Sequence, residues 1–290
     1  MDVLNFSKRL ALAIRRDPWQ LVVSMMGSFF VGYTVCWGVV APIYGIASPT
    51  ELKGLPKYLA FVVISLVVGF GWFIRRHVPK TKVSSILPST NTRLSVSYGD
   101  FFSENGHKVI AVSEFFDGEI GEIVSPNSLH GQFIAKYCQS QSSEFYALVD
   151  SSLASVRSQR VERPKGRNEK FPIGTTAVGR VGSDRYFFVA MTNANPITHK
   201  VAADVPQLWQ ALNGLWSVVR DYANEYPVVV PLIGGGASGV GLPNSVLLNL
   251  ILTSVVNETK KRRIAGEIKV VLYPGTANQI DLRAVEMAWS

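Results

Sequence analysis

The sequence has few cysteines and few charged residues. Its 290 residues include two cysteines, which excludes a disulfide scaffold and a cysteine-rich zinc module. Charged residues make up 17% of the chain, below the quarter that is usual for globular domains, and the mean hydropathy is +0.18. A chain this apolar is not intrinsically disordered. Its length suits one or two domains.

Acidic residues are scarce in one part of the chain only. Residues 1–82 hold ten Lys or Arg and three Asp or Glu, a net charge of +7. Residues 83–290 hold nineteen basic and eighteen acidic residues, a net charge of +1. A nucleic-acid-binding protein would carry its basic excess on the folded domain. Here the excess flanks apolar sequence, which is typical of membrane segments, so no nucleic-acid partner is expected.

Charge is absent from two long runs near the N-terminus. No charged residue occurs between Asp17 and Glu51, and residues 21–40 are overwhelmingly apolar. A second uncharged run covers residues 58–74. Because a helix needs about 20 apolar residues to cross a bilayer, residues 18–77 are predicted to form a two-helix transmembrane hairpin. The alternatives are a cleaved signal peptide for the first run, or two buried core helices.

Basic residues flank this predicted hairpin on one side. Positive side chains stay on the cytoplasmic side of a membrane. We therefore expect a protein of the cell inner membrane, with membrane lipid as a partner and with the N-terminus and the C-terminal domain in the cytoplasm. The flanking residues are Lys8, Arg9, Arg15 and Arg16 before the first span, and Arg75, Arg76, Lys80 and Lys82 after the second.

Small residues recur every four positions in the first predicted span, at Ser24, Ser28, Gly32 and Cys36. Such a face lets membrane helices approach closely. Two interpretations stay open, which are packing within the hairpin and self-association between protomers.

Residues 1–17 form a third N-terminal element. Val3, Phe6, Leu10 and Ile14 fall roughly on one helical face, with the basic residues elsewhere. This pattern predicts either an amphipathic helix on the inner leaflet or a frayed basic tail.

Residues 78–91 are rich in Pro, Ser and Thr and are predicted to be a linker. Strands and helices then alternate through residues 92–290, which indicates one α/β domain. The predicted strands cover 94–98, 108–112, 175–180, 186–191, 227–233 and 268–273, and the predicted helices cover 205–224, 244–260 and 281–287.

A charged segment interrupts this domain at residues 157–170. Runs of charge are usually solvated loops. The alternative is a contact with anionic lipid or with a partner.

Glycines cluster at residues 234–241, between a predicted buried strand and a predicted helix. The members are Gly234, Gly235, Gly236, Ala237, Ser238, Gly239, Val240 and Gly241. Backbone N–H groups in such a loop, together with a helix N-terminus, suit a diphosphate. The loop is neither a Walker motif nor a GxGxxG fingerprint. A purely structural glycine turn is the alternative.

A second candidate region follows the predicted strand 108–112. Phe115 and Phe116 are predicted either to stack on a base or ribose or to fill the core, and Asp117 to accept a hydrogen bond from a hydroxyl. Ser128 opens a helix, and His130 is predicted to contact a ligand or to cap that helix. The histidines have no metal-ligand spacing, and no nucleophile elbow or paired-carboxylate motif occurs. The sequence therefore predicts ligand binding without a catalytic residue or a metal.

These residues resemble a known family. Residues 92–288 are similar to a macro domain, and Phe116-Asp117, Ser128 to Gly131 and the loop 234–241 resemble the macro domain of Thoeris anti-phage effectors. The two preceding runs match the transmembrane–macro form of those effectors. The resemblance implies a three-layer α/β/α domain with a mixed sheet behind two transmembrane helices.

The resemblance also implies a function. In such systems a TIR-domain enzyme converts NAD into a nucleotide signal, which is histidine linked to ADP-ribose in the transmembrane–macro form. The macro domain binds the signal, the effector forms homo-oligomers, and its membrane segments disrupt the membrane, which gives abortive infection. No further cofactor is implied. The alternatives are a membrane-tethered ADP-ribosyl hydrolase and a plain membrane scaffold.

Site residues implied by the resemblance are limited to matching positions. Asp100 matches the carboxylate that holds the adenine amino group. Gly234 to Gly239 match the loop around the diphosphate and the distal ribose, and Gly174 and Thr175 match another pocket segment. The chain departs from the hydrolytic pattern at Ser113 to Phe116, where an asparagine-rich loop is expected. This departure favours a sensor over a hydrolase.

Overall fold

The computed structural model describes residues 6–16, 18–40, 42, 55–87, 90–236 and 239–289. The chain divides into two compact units, Met1–Thr81 and Lys82–Ser290, and each is described by itself. The described part of the first unit is helical, and the second unit is built around a β-sheet.

The described part of the first unit contains three helices, α1 (Phe6–Arg16), α2 (Pro18–Val35) and α3 (Leu55–His77), with one π-helical turn (Cys36–Val40) continuing α2. Within the described residues, one helical stretch, Val22–Val39, is long and apolar enough to span a membrane. This supports one candidate span rather than the two predicted. The second predicted span, residues 58–74, lies within α3, and its place in a membrane stays a prediction.

The small residues of α2 pack against small residues of α3. Ser28 and Ser65 are 4% and 1% exposed. A Cβ atom on Gly32 would lie 2.5 Å from the Ser65 carbonyl oxygen, and one on Gly69 would lie 2.8 Å from the Ser28 carbonyl oxygen. The two backbones therefore touch, with residue 28 opposite 69 and residue 32 opposite 65, so the helices run antiparallel. Ser24 is partly buried, and the Cys36 side chain lies outside the described residues.

This contact decides between the two interpretations of the small-residue face. Gly32 and Ser28 are used inside the hairpin, where close backbone approach maximises van der Waals contact. Self-association between protomers through these two residues is therefore wrong for this structure, because their face is already covered by α3.

The second unit begins with β1, inside the segment predicted to be a linker. β1 pairs antiparallel with β2, with Val83 opposite Val96, and Val83 is buried. The predicted linker 78–91 and the domain start at 92 are therefore corrected, since the folded unit starts at Lys82. Ser84 and Ser85 give this edge strand the composition of a loop.

The remaining elements of the second unit follow the predicted alternation, and each strand and helix predicted by number is present within three residues at each end. The elements are β1 (Lys82–Ile86), β2 (Arg93–Tyr98), β3 (His107–Ser113), α4 (Leu129–Tyr137), α5 (Ser142–Leu153), β4 (Gln159–Arg160), β5 (Glu169–Lys170), β6 (Thr176–Val181), β7 (Asp184–Ala194), β8 (Val201–Ala202), α6 (Val205–Tyr222), β9 (Val228–Pro231), α7 (Asn244–Lys261), β10 (Glu267–Leu272) and α8 (Leu282–Trp289).

The main sheet has the order β1-β2-β10-β9-β3-β7-β6, and β8 pairs with β7. The strands β2, β10, β9, β3 and β7 run parallel to one another, whereas β1 and β6 are antiparallel edges. This confirms the predicted α/β class with a mixed sheet. The chain leaves β3 towards α4 and leaves β9 towards α7, and β3 and β9 are neighbours.

Helices cover both faces of this sheet. On one face Phe133 of α4 and Phe145 of α5 pack on Phe188 of β7, with ring centroids 4.9 and 5.1 Å apart. Side chains alternate across a strand, so the buried Phe187 points to the other face. There α6 packs on β7 and joins α7 through a 3.0 Å hydrogen bond from Trp216 Nε1 to Ser254 Oγ. The result is the predicted three-layer arrangement.

We expect Gly32→Leu to destabilise the hairpin, because the new side chain would collide with the α3 backbone. Overpacking of this kind costs about 2 kcal/mol. The control is Gly27→Leu on the same helix, where a Cβ atom meets nothing within 4 Å. When detergent-induced unfolding is followed by circular dichroism, the midpoint of unfolding should be lower for Gly32→Leu and unchanged for Gly27→Leu. Equal midpoints would contradict the packing.

Candidate functional site

The glycine-rich loop lies at the carboxyl end of β9, beside the carboxyl end of β3. Because the chain leaves these neighbouring parallel strands in opposite directions, a crevice forms between their loops, where α/β proteins bind ligands. Gly234 has φ +88° and Gly241 has φ +76°, conformations that favour glycine. Gly234 is buried, and Gly235 and Gly236 are exposed. Ala237 and Ser238 lie outside the described residues.

This loop leads directly into α7. Its N-cap residue is Pro243, and within the described part of the loop no side chain caps this end of the helix. The first N–H groups of a helix have no intrahelical partner and carry the positive end of the helix dipole. A Cβ atom on Gly236 would meet nothing within 4 Å, so open space lies before the backbone there. The arrangement suits an anion such as a diphosphate.

Asp100 lies at the carboxyl end of β2, as predicted, and its side chain is exposed. Its Oδ1 accepts a hydrogen bond from the Phe102 N–H at 3.1 Å, and its Oδ2 accepts one from Ser103 Oγ at 2.6 Å. The carboxylate thus caps the short 3-10 helix at Phe101–Ser103. An exposed carboxylate has lone pairs left for an amino group.

Tyr273, which the sequence reasoning missed, follows the strand next to β2, the strand that Asp100 follows. It directly follows β10, and the Gly99 N–H donates to the Leu272 carbonyl oxygen at 3.1 Å, so the ends of β2 and β10 are joined. The Tyr273 side chain is 75% exposed, and its ring lies over Gly275. An exposed ring at a strand end offers a face on which a base can stack. The signal in the sequence is an aromatic residue directly after a buried strand.

Asp117 is not exposed to a ligand, which corrects its predicted role. It is 1% exposed, and Arg163 Nη1 lies 2.9 Å from its Oδ1. The Arg167 backbone N–H donates to the same oxygen at 3.0 Å, and Ser113 Oγ lies 3.4 Å from the other oxygen. The carboxylate already has its hydrogen-bond donors.

Arg163 comes from the charged segment 157–170, which we call the strap. Its guanidinium lies 3.9 Å above the Phe115 ring, and its Nη2 lies 3.1 Å from His199 Nδ1. The side chain of Arg163 is 0% exposed. A second ion pair joins Lys170 in the strap to the buried Glu114 at 3.2 Å. The strap is therefore fastened to the end of β3, and the prediction of a merely solvated loop is wrong at Arg163 and Lys170.

Phe115 and Phe116 fill the core, one of the two roles predicted for them. They are 1% and 0% exposed. Phe116 has φ +51° and packs edge-on against Phe171, with ring centroids 5.5 Å apart. Neither ring offers a face to a ligand in this structure. At these two positions, the departure from an asparagine-rich loop therefore supplies packing.

Ser128 and His130 also have structural surroundings. Ser128 caps α4, where its Oγ accepts from the Gly131 N–H at 3.0 Å. His130 is 6% exposed and lies 4.7 Å from the Phe145 ring. Its Nε2 has no hydrogen-bond partner among the described residues, and burial lowers the pKa of its imidazole to about 3. His130 neither caps the helix nor faces a ligand, which corrects both predictions.

Gly174 and Thr175 lie where the strap rejoins the sheet. Gly174 has φ +91°, and a Cβ atom there would lie 2.9 Å from the Gln210 carbonyl oxygen of α6. Its N–H donates to the Ala190 carbonyl oxygen, and the Thr175 carbonyl oxygen accepts from the Ala190 N–H, both at 2.8 Å. These contacts hold β7 and α6 together, and a ligand contact for either residue stays a prediction.

We expect stability to fall as the pH falls from 7 to 5 because of His130. Its pKa is lower in the folded chain than the ordinary 6.5, so the unfolded chain takes up a proton first. Stability is fully present above about pH 6.5 and drops by about 2 kcal/mol at pH 5. Denaturant titrations of the full chain and of His130→Gln should show a shallower pH dependence for the variant, and parallel curves would contradict this.

We expect Arg163→Met to cost about 3 kcal/mol or more, because it leaves the Asp117 carboxylate buried without its counter-charge. The double variant Asp117→Asn/Arg163→Met should recover part of this loss, since no charge is then buried alone. Free energies of unfolding for both single variants and the double variant give the coupling. Strictly additive losses would show that the two groups do not interact.

The chain is similar to several known proteins. The family described as "Thoeris protein ThsA, Macro domain" matches residues 94–273. Thoeris protein ThsA of Bacillus amyloliquefaciens (strain Y2) is 25% identical over 235 residues, covering 77% of this chain and 75% of that protein. Similar solved structures include an Oceanobacillus iheyensis macrodomain with ADP and a Trypanosoma brucei macrodomain in complex with ADP-ribose. The first is 12% identical, with TM-score 0.47 over 71% of this chain and 96% of that chain. The second is 8% identical, with TM-score 0.44 over 68% of this chain and 69% of that chain.

The family match covers well over half of the chain, and it begins and ends inside the second unit. The predicted resemblance to Thoeris macro-domain proteins is confirmed. This chain belongs to the family of Thoeris ThsA proteins that carry a macro domain.

Proposed function

We propose that this chain is a membrane-anchored Thoeris effector whose second unit binds an ADP-ribose-type signal. The observation that carries the proposal is the open glycine loop between β9 and α7, at the point where the chain leaves neighbouring parallel strands in opposite directions. A diphosphate there meets backbone N–H groups and the positive end of a helix dipole.

The neighbouring strand ends supply the rest of the proposed site. Asp100 follows β2, Tyr273 follows β10, and the glycine loop follows β9. Strands lie about 4.8 Å apart, so the ends of β2 to β3 span roughly 14 Å. An adenine ring stacked on Tyr273, with its amino group at Asp100, would place the diphosphate at the loop and the distal ribose towards β3.

Binding without turnover is the preferred form of this proposal. The two carboxylates that follow β3, Glu114 and Asp117, are buried and ion-paired with Lys170 and Arg163. A general base must be able to reach the proton that it abstracts, and these two groups face the strap instead. The alternative, a membrane-tethered ADP-ribosyl hydrolase, would need a base from elsewhere in the site.

The membrane part of the proposal rests on sequence and on the hairpin. α2 and α3 would cross the inner membrane, with the N-terminus and the second unit in the cytoplasm, because the basic residues flank the hairpin on one side. A TIR-domain partner would make the signal, histidine-linked ADP-ribose, from NAD. Signal binding would favour a clustered state over a resting one, and the clustered hairpins would disrupt the membrane. Because Ser28 and Gly32 pack inside the hairpin, clustering would use other surfaces.

The direct test is calorimetric titration of the full chain in detergent with ADP-ribose and with histidine-linked ADP-ribose. Mass spectrometry of the recovered ligand then separates the two candidate functions. Binding with the ligand returned intact supports the sensor, and release of free ADP-ribose from the conjugate supports the hydrolase. Binding of neither ligand would contradict the proposed site.

We expect Gly236→Val to abolish this binding without unfolding the chain. A Cβ atom at this position meets nothing within 4 Å, so the new side chain would fill the space before the loop backbone. Tyr273→Ala should weaken binding about tenfold through lost stacking. The matched control is Tyr222→Ala, which removes another exposed ring, on α6. Unaltered affinity of the Gly236 variant, with an unaltered melting temperature, would place the ligand elsewhere.

A further inference from the structure

The N-terminal helix α1 has an apolar stripe that the described chain leaves partly uncovered. Phe6, Leu10 and Ile14 lie four residues apart along one side of the helix. Phe6 and Ile14 are 49% and 51% exposed. Lys8 and Arg15, both exposed, lie on the opposite side at 100° per residue. An amphipathic helix normally buries its apolar stripe against a core. On α1, about half of the surface of Phe6 and Ile14 is exposed instead.

Arg9 fixes where α1 lies. Its Nε donates to the Pro79 carbonyl oxygen at 2.9 Å, just beyond the end of α3. Because α2 and α3 are antiparallel, the start of α2 and the end of α3 lie at the same end of the hairpin. α1 therefore lies at the end of the hairpin from which the chain continues to the second unit. A helix held there is placed at the boundary between apolar spans and water.

Among the residues that the structure describes, the charged side chains at this end are all basic. The residues that gather there are Lys8, Arg9, Arg15, Arg75, Arg76 and Lys80, and we call them the basic collar. Among the described residues of the first unit, none is acidic. A positive surface next to an apolar stripe fits a negatively charged bilayer surface, since the head groups meet the charges and the acyl chains meet the stripe.

We propose that α1 lies in the inner leaflet and binds anionic phospholipid. Phe6 and Ile14 enter the boundary between head groups and acyl chains, while Lys8 and Arg15 contact lipid phosphates. The inference rests on the proposed function, because it needs α2 and α3 to cross the bilayer. It adds a specific lipid class, and it makes α1 a third membrane contact that sets the position of the hairpin exit.

The experiment uses the full chain with Cys36 and Cys138 replaced by alanine. Phe6→Cys on the stripe and Ala11→Cys, at an exposed position about 140° around the helix from Phe6, each carry an environment-sensitive fluorophore. The labelled proteins are reconstituted in phosphatidylcholine vesicles, with and without added phosphatidylglycerol. We expect blue-shifted emission and quenching by lipid nitroxides at position 6 in the vesicles that contain phosphatidylglycerol. Position 11 should stay water-like in both vesicle types.

Charge is tested in the Phe6→Cys protein by adding Lys8→Gln and Arg15→Gln. Each removed charge should lower the ratio of inserted to free α1 about fivefold, and high salt should act in the same direction. If the fluorophore at position 6 reports the same aqueous environment as the fluorophore at position 11, the proposal is overturned. Equal insertion in both vesicle types would overturn the requirement for anionic lipid.

Alkaline carbonate extraction of the same vesicles separates this inference from the proposed function. If the chain is released from the vesicles, the spans themselves fail and both proposals fall. If the chain stays in the bilayer while position 6 is water-like, only the lipid contact of α1 is overturned.

Discussion

The parallel pairing of β3 with β9 is the constraint on which the second unit depends. These strands are far apart in the sequence, and they meet through His107 opposite Val228 and Lys108 opposite Val229. The pairing places the glycine loop beside the segment that carries Phe115 to Asp117. It also sends the following helices to opposite faces, which opens the crevice.

The buried ion pair between Asp117 and Arg163 fixes the position of the strap. Burying two charges costs several kcal/mol, and the cost is offset only when the remaining donors and acceptors are satisfied. Asp117 receives three donors, and the Arg163 guanidinium also lies on an aromatic face. A network of this kind adds little net stability compared with apolar packing. It does define one position for a strap that is otherwise charged and irregular.

The sequence predicted the fold well where a pattern repeats. Runs and spacings of apolar residues predicted β7, β9, β10, α6 and α7, because buried strands and helices have periods that can be read directly. The edge strand β1 was missed because one face of a short edge is solvated and only Val83 of its first four residues is buried. Helix α5 was missed because its stripe of Phe145, Val149 and Leu153 is short.

The site was harder to predict than the fold. The sequence proposes the glycine loop and Asp100 as site residues because glycine clusters and strand ends have a local signature, and their contact with a ligand stays a prediction. Arg163 could not be found, because a buried arginine has the same sequence signal as a solvated one until its distant partner is known. The burial of His130 could not be predicted for a related reason, because the sequence does not show whether a histidine on a helix is buried. Local patterns therefore located the crevice, and long-range pairing decided which side chains face it.

The backbone contact between Gly32 and Gly69 has a mechanical consequence. Helices separated by long side chains can slide as those side chains change rotamer. Two backbones in direct contact have no side chain between them, so they cannot slide in this way. The pair therefore transmits a force applied at the end of α3 along its whole length with little internal yielding. Any rearrangement of the first unit must therefore rotate or tilt both helices as one rod.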